Sequence, residues 1–451
     1  MGEKIKYWLE KPIFIYVFGF AFLIYRTSIY LPSFQLSTFL FFGITYCAIN
    51  YLLLFVCKKI FRTVSYFEGL LLVIWVYISI GSQILFNYKS LAPVERILLV
   101  VAIIGVWTIC SILQSRYLHL RITRINKFIN VFIIILSSSS IIKGAMDLSK
   151  AHKHDALIMN HMVPSIPNPK DKDIVWILMD EYASPAYLRN DLHFKNDLID
   201  SLKKNQFFVF DSLPSRENVT LYSVSSLFNL DDSIHINNYM YAAKYLNESK
   251  WMYQLHYLGY DFVNLDFFTI FTSKKLASIK LYYDNYLDQI FRNSFIESVY
   301  NKIDGYDRFS VDAYNQMIIQ KFKKVQQTQS KKPRFIWTHL LIPHPIFYRN
   351  PDGSFQSKKI IANQDLPTEE GNKAYLEYLK YGNNVVLEML NQIPDWKHKM
   401  IVISGDHGFR QYLKEGDARQ FATFAAIYSP DMDTLDLKTI QYLQQIPLHL
   451  R

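Results

Sequence analysis

From Thr38 to Cys57 the chain runs for 20 residues without a charge, and no other feature limits its possible folds as sharply. A helix rises about 1.5 Å per residue, so such a run spans the roughly 30 Å hydrocarbon core of a bilayer. Lipid offers no hydrogen bonds to a bare backbone, which leaves helix as the only form for it. Gly69 to Tyr88 and Ile97 to Ser115 are further uncharged runs. Pro12 to Leu31 is a fourth candidate span, with Arg26 near enough to its end to snorkel. Phe128 to Ile142 is shorter, and its hydroxyls at Ser137, Ser138, Ser139 and Ser140 can bond to backbone or to a neighbouring helix. A helix of a soluble bundle keeps a polar face. These runs keep none, so residues 1–145 are expected to form a bundle of about five transmembrane helices.

Positive charge orients the bundle. Lys4, Lys6, Lys11, Lys58, Lys59, Arg62, Arg116, Arg121, Arg124 and Lys127 fall in one set of loops, against Arg26, Lys89 and Arg96 in the other. The N-terminus is therefore expected in the cytoplasm, and an odd number of crossings carries everything later to the outside. The first helix is not followed by a small-residue cleavage site.

The formal charge of +10 does not signal a nucleic-acid partner. Residues 1–150 hold 15 Lys and Arg against 5 Asp and Glu, while residues 151–451 hold 34 of each. The excess belongs to the membrane part, and the outer part has no basic balance to draw a polyanion. Cys47, Cys57 and Cys110 all lie in the membrane part, so the outer domain has neither a disulfide nor a thiolate for chemistry.

Residues 146–172, with Lys150, His152, Lys153, His154, Pro164, Pro167 and Pro169, show little periodicity and read as a solvated juxtamembrane linker. Beyond it come short apolar runs at Ile174–Met179, Phe207–Phe210, Phe262–Leu265, Phe335–Leu341, Met400–Ser404 and Phe421–Tyr428. Helical patterns lie between them, at Leu192–Lys204, Val311–Gln327 and Lys373–Gln392. Strands alternating with helices predict an α/β domain with a mainly parallel sheet over residues 173–451, and ligands of such sheets sit beyond the carboxyl ends of the strands.

Chemistry-bearing residues collect at those ends. Asp180 and Glu181 follow the first strand, and Asp406 and His407 lie in Gly405-Asp406-His407-Gly408 after an apolar strand. Gly405 and Gly408 are expected to let the backbone turn and approach a ligand closely. Thr220 stands at an expected helix start, in Asn218-Val219-Thr220-Leu221-Tyr222-Ser223, and His344 in His339-Leu-Leu-Ile-Pro343-His344-Pro345. Carboxylates and imidazole suit Zn²⁺, Mn²⁺, Mg²⁺ or Ca²⁺. A threonine hydroxyl beside such an ion can lose its proton and attack phosphorus or sulfur.

This order, an Asp after the first strand, a Thr some 40 residues later, His-x-x-x-Pro-His-Pro, then an apolar strand and Asp-His-Gly, resembles the sulfatase-like branch of the alkaline phosphatase superfamily. With five preceding transmembrane helices, it resembles that branch's phosphoethanolamine transferases and lipoteichoic acid synthases. The resemblance implies that Asp180, Asp406 and His407 hold a divalent metal. It makes Thr220 both a ligand and the nucleophile, and places His344 against the transferred group or a second metal. Glu181 is a further candidate ligand, and a helix start at Thr220 suits an incoming anion independently.

The transferases usually carry another His about a dozen residues past Asp-His-Gly, whereas Phe409 to Gln420 holds none, so the resemblance stops short of a full two-metal site. Arg410 in that stretch is a candidate for an anionic substrate. The chain also ends at Arg451, earlier than the family leads one to expect, which bears on closure of the site. Ser212 is a rival nucleophile, since Ser212-Leu213-Pro214-Ser215-Arg216 matches the core that some bacterial sulfatases convert to formylglycine. The Leu-x-Thr-Gly continuation is missing, which favours Thr220. The expectation is a monomeric, multi-pass protein of a bacterial inner membrane whose extracytoplasmic domain acts on phosphoesters, or sulfate esters, of envelope lipids or glycans. The alternatives are a formylglycine sulfatase and an inactive binding scaffold with the same fold.

Overall fold

A computed structural model describes residues 7–29, 36–60, 126–135, 172–230, 239–271, 310–362, 366–431 and 433–450, with a few single positions between them. These residues fall into two compact units, one up to residue 146 and one from residue 172 onward.

In the first unit, helix α1 (Phe14–Ile29) packs on α2 (Leu36–Ile60). Gly19 on α1 leaves room for the Tyr46 ring, which a Cβ there would meet at 2.3 Å. The Tyr46 hydroxyl in turn donates to Ile15 O at 2.5 Å. A third helix, α3 (Asn126–Ile135), is tied to the start of the chain by Asn130 Nδ2, which donates to Leu9 O and Lys11 O at 2.8 and 2.7 Å. Among the described residues one helix, Leu36–Lys59, is long and apolar enough to cross a membrane, and α1 and α3 are shorter apolar helices. These fall on the expected runs at 38–57, 12–31 and 128–142. The expected spans at 69–88 (single positions apart) and 97–115, and the linker up to residue 171, lie outside the described residues.

The second unit is built on one six-stranded sheet. Its strands are β1 (Ile174–Met179), β2 (Phe208–Pro214), β3 (Asp261–Leu265), β4 (Arg334–Leu340), β5 (Met400–Gly405) and β6 (Ala422–Tyr428). Their order across the sheet is β2-β6-β5-β1-β4-β3. Neighbours from β5 to β3 run parallel, while β6 is antiparallel to both β5 and β2. All six expected strands are present within a few residues of their expected bounds.

Strands β1, β4 and β5 are buried along their whole length. Both faces are therefore covered, which explains why they read as continuous apolar runs rather than alternating ones. Burying each large aliphatic or aromatic side chain contributes about 1.5–3 kcal/mol, and Trp176, Trp337, Phe335, Trp251 and Phe228 pack ring against ring around this core. The helices used below are α4 (Thr220–Phe228), α5 (Val311–Gln327) and α6 (Thr368–Asn391). α4 begins at the residue read as a helix start, whereas the pattern at Leu192–Lys204 is helical only from Asp197.

Candidate active site

Parallel strands that stop together place their next residues in a row. Met179 of β1 is level with Leu340 of β4 and Gly405 of β5, and Leu265 of β3 is level with Thr338. The residues that follow, Asp406, Asp180 and Asp266, with His339 near the end of β4, thus line the carboxyl edge of four adjacent strands. All four are at most 1% exposed. Asp180 N donates to Leu340 O at 2.9 Å, and Glu181 N donates to Asp406 Oδ1 at 2.9 Å, so backbone amides lock the first carboxylates in place.

His407 Nδ1 lies 2.9 Å from Gly408 O. A carbonyl only accepts, so Nδ1 carries a proton, and Nε2 is the ring atom turned toward the carboxylates. That nitrogen sits 3.1 Å from Asp406 Oδ2 and 4.0 Å from Asp180 Oδ1. Ligand atoms of Asp180, Asp406 and His407 all fall within 4.8 Å of one another. Asp406 Oδ2 and Asp180 Oδ2 are buried without a hydrogen-bond partner. Electron-rich atoms this close in a dry pocket repel unless a cation lies among them, so the residues present fit a divalent metal.

Burial and the neighbouring Asp180 charge push the Asp406 carboxyl up. Burial would do the same to Asp180, but His344, His339 and His407 outweigh it and hold Asp180 below the usual carboxylate range.

Thr220 reaches this cluster from α4. Its hydroxyl donates toward Asp180 Oδ1 at 3.3 Å and lies 3.4 Å from His407 Nε2. One turn along the same helix face, Ser223 Oγ donates to Asp406 O at 2.7 Å, which pins the helix to the Asp-His loop. Val219, preceding Thr220, provides no side-chain cap to α4.

Glu181, Arg410 and His344 form the outer rim. Glu181 has a left-handed backbone (φ 63°), and its carbonyl accepts from the buried Tyr375 hydroxyl at 3.2 Å. Its carboxylate faces Arg410, taking hydrogen bonds from that residue's backbone N at 2.9 Å and Nε at 3.2 Å. Arg410 Nη1 also donates to Asn218 O at 3.0 Å. The candidate anion-binding arginine is thus held by Glu181, and the candidate ligand Glu181 is held by the arginine. His344 Nε2 is 3.9 Å from Glu181 Oε2.

Two readings of the sequence change. Gly405 and Gly408 were expected to admit a ligand, yet both admit the chain itself. A Cβ on Gly408 would stand 2.1 Å from Arg419 O and 2.5 Å from Ala422 O, and one on Gly405 would stand 2.1 Å from Thr423 Oγ1. Asp266 and His339 were also given no role. His339 Nδ1 donates to both Asp266 oxygens at 3.1 Å, and Nε2 points to Asp180 Oδ2 at 3.7 Å. Asp266 also accepts from Trp337 Nε1 at 2.7 Å and Phe268 N at 3.1 Å. Burial lowers the His339 pKa, but Asp266 and Asp180 outweigh it and leave it pushed up to about 10. The signal was present: Asp266 closes an apolar strand as Asp180 and Asp406 do.

The sequence from 172 to 431 matches the family described as Sulfatase. The chain belongs to the sulfatase family. As a sulfatase-family protein, it is an enzyme of phosphoryl or sulfuryl esters. Among curated proteins none matches it significantly. Among solved structures, it is similar to the C-terminal periplasmic domain of EptC from Escherichia coli in complex with Zn. There the identity is 14%, covering 64% of this chain and 83% of that one, with a TM-score of 0.40. It is also similar to the integral membrane protein lipooligosaccharide phosphoethanolamine transferase A from Neisseria meningitidis, at 13% identity over 97% of this chain and 94% of that one, with a TM-score of 0.39. A phosphonate monoester hydrolase of Agrobacterium radiobacter is similar at 12% identity, 57% and 68% coverage and a TM-score of 0.37. Membership of the sulfatase family rests on the sequence match alone.

Proposed function

We propose that this sulfatase-family enzyme is a metal-dependent phosphoryl-ester transferase or hydrolase, anchored in a bacterial inner membrane by about five helices, with Thr220 as its nucleophile. The carrying observation is the Thr220 hydroxyl, 3.3 Å from Asp180 Oδ1 and 3.4 Å from His407 Nε2, at a cluster whose buried oxygens lack partners. Asp180, Asp406, His407 and Thr220 would hold one divalent cation, Zn²⁺, Mn²⁺, Mg²⁺ or Ca²⁺. When bound, the ion supplies positive charge that lowers the threonine pKa and offsets charge on the ester.

Thr220 Oγ attacks phosphorus in line. The hydroxyl gives up its proton as the new O–P bond forms and the bond to the leaving alkoxide breaks, and that proton leaves with the alkoxide as an alcohol. An acceptor hydroxyl or water then attacks the phosphothreonine, loses its proton, and returns Thr220. His344, at the rim, suits contact with the transferred group, and the N-terminal end of α4 suits its anionic oxygens. With the catalytic domain outside the membrane and tethered to it, a lipid donor and an envelope lipid or glycan acceptor are the fitting substrates, met by a monomer.

Ser212 draws no comparable support. It is exposed on β2, in the irregular stretch between Phe210 and Leu213. The test is Thr220→Ala in the full chain, with p-nitrophenyl phosphodiesters as substrate. Turnover should fall by about 10⁴-fold or more, as for other lost nucleophiles, and intact mass should lose the covalent adduct. A Thr220→Ala protein that still turns over would sink this mechanism. Inactivation by Ser212→Ala instead, with Ser212 found as the aldehyde, would establish the formylglycine route.

A further inference from the structure

The segment Leu443–His449, a turn of tight helix near the end of the chain, packs against α4. Its Gln444 is 1% exposed and reaches three groups beside the nucleophile. Gln444 Oε1 accepts from Arg216 N at 3.2 Å. Gln444 Nε2 donates to Ser215 Oγ at 3.1 Å and Ser223 Oγ at 3.4 Å. Ser215 Oγ and Ser223 Oγ are 2.9 Å apart, and Ser223 Oγ donates to Asp406 O at 2.7 Å.

The proton directions follow from the two ends. An amide nitrogen can only donate and a carbonyl can only accept. Ser223 therefore gives its proton to Asp406 O, and Ser215 gives its proton to Ser223. The line Gln444 to Ser215 to Ser223 to Asp406 runs one way, through groups that are all at most 3% exposed. Bonds ordered in one direction polarise one another in a dry interior, and a partly broken line leaves buried groups unpaired.

We propose that Gln444, with Ser215 and Ser223, forms a clasp that sets the distance between Thr220 and the Asp406–His407 loop. This makes Gln444 a positioning residue for the reaction, and the inference rests on Thr220 being the nucleophile. Thr220 and Ser223 share a helix face, so the bond that ties Ser223 to Asp406 also fixes where the Thr220 hydroxyl stands. Arg216 is fastened a second time just before that segment, its guanidinium 3.3 Å from the centre of the Tyr442 ring. The strand-to-helix connection that delivers the nucleophile is thus gripped at its backbone, at its side chain and through its serines.

The test compares Gln444→Leu, Gln444→Glu, Ser223→Ala and the double variant Gln444→Leu with Ser223→Ala, all in the full chain in detergent. Thr220→Ala serves as reference and a p-nitrophenyl phosphodiester as substrate. Gln444→Glu keeps the acceptor for Arg216 N and loses the donor to the serines, so it reports on the clasp even if Gln444→Leu does not fold. An error of about 1 Å in a reacting group costs around 100-fold, so kcat per metal-loaded site should fall about 10- to 100-fold with KM within about twofold. Because one line is being cut, the double variant should fall no further than the worse single. A merely structural Gln444 would lower the unfolding midpoint and leave kcat per loaded site unchanged, which overturns the inference, as would additive losses. If Thr220→Ala is inactive and the Gln444 variants keep full kcat, the clasp alone fails. If Thr220→Ala stays active, the nucleophile reading fails and takes the clasp with it.

Discussion

Replacing Gly408 with alanine tests how tightly the sheet edge is built. The added Cβ would lie 2.1 Å from Arg419 O and 2.5 Å from Ala422 O. Carbon and oxygen essentially never approach within 3.0 Å here, so the larger overlap demands a shift of at least 0.9 Å, the difference between 3.0 and 2.1 Å. Neither oxygen can swing away, because both belong to the backbone. Ala422 O also accepts from Ser184 N at 3.2 Å, and Gly408 N itself donates to Gln420 O at 2.9 Å. The relief must therefore come from the loop that carries Asp406 and His407. Metal ligands tolerate about 0.2 Å, so the displacement is several times what the site can absorb.

Overpacking of this kind costs about 1–3 kcal/mol in stability. Divalent-metal affinity, read by competition with a chelator, should weaken by at least about tenfold, the lower end of what disturbed support of a ligand costs. The full chain in detergent would be compared with Gly353→Ala, a remote glycine where the nearest atom is the Tyr381 ring at 3.8 Å. That control carries its own backbone strain at φ +85°, so it can lower stability but should leave metal affinity alone. Unchanged metal affinity in Gly408→Ala, with a folded protein, would refute the claim that this glycine places the ligands.

The opposite edge of the sheet makes a pH prediction. Burial raises the Asp173 pKa, but hydrogen bonds from Lys399 and Arg334 outweigh it and hold the carboxyl below its ordinary value. Its contribution is therefore fully present above the unfolded pKa of about 3.9 and is lost as pH falls through the lower folded value. Asp173→Asn should cost about 1.5–3 kcal/mol at pH 7, and urea titrations should show that cost shrinking toward pH 3, whereas a pH-independent loss would contradict it. Asp266→Ala should be harsher, since it leaves His339 Nδ1 and Trp337 Nε1 buried without their acceptor. A loss of about 3–5 kcal/mol should appear in unfolding curves, and a loss below 1 kcal/mol would mean that water enters to replace the carboxylate.

Much of this was readable before any coordinates. Each buried strand shows as a short apolar run because both of its faces are covered, and Asp180, Asp406 and Thr220 show as polar residues placed where a strand stops or a helix starts. His344 was visible through its prolines and Arg410 through its place after Asp-His-Gly. What escaped were relations rather than residues. Asp266 follows an apolar strand in the same manner as Asp180, yet it acquires a partner only once β3 is known to lie beside β4. Gln444 carries no local signal, being one of three glutamines between residues 441 and 445.

The division has a physical cause. Runs without charge, strand-length apolar segments and helix starts are set by hydration and backbone geometry over a few residues, so the sequence by itself determined that Leu36–Lys59 is long and apolar enough to cross a membrane, the α/β alternation and the candidates Asp180, Thr220, Asp406 and His407. The lateral order β2-β6-β5-β1-β4-β3 is set by packing between segments far apart in the chain. Only that order brings Asp406, Asp180, His339 and Asp266 into one row. Only tertiary packing decided that Gly408 makes room for Arg419 O and that Gln444 closes on α4, because each depends on a close approach between residues that no local pattern connects.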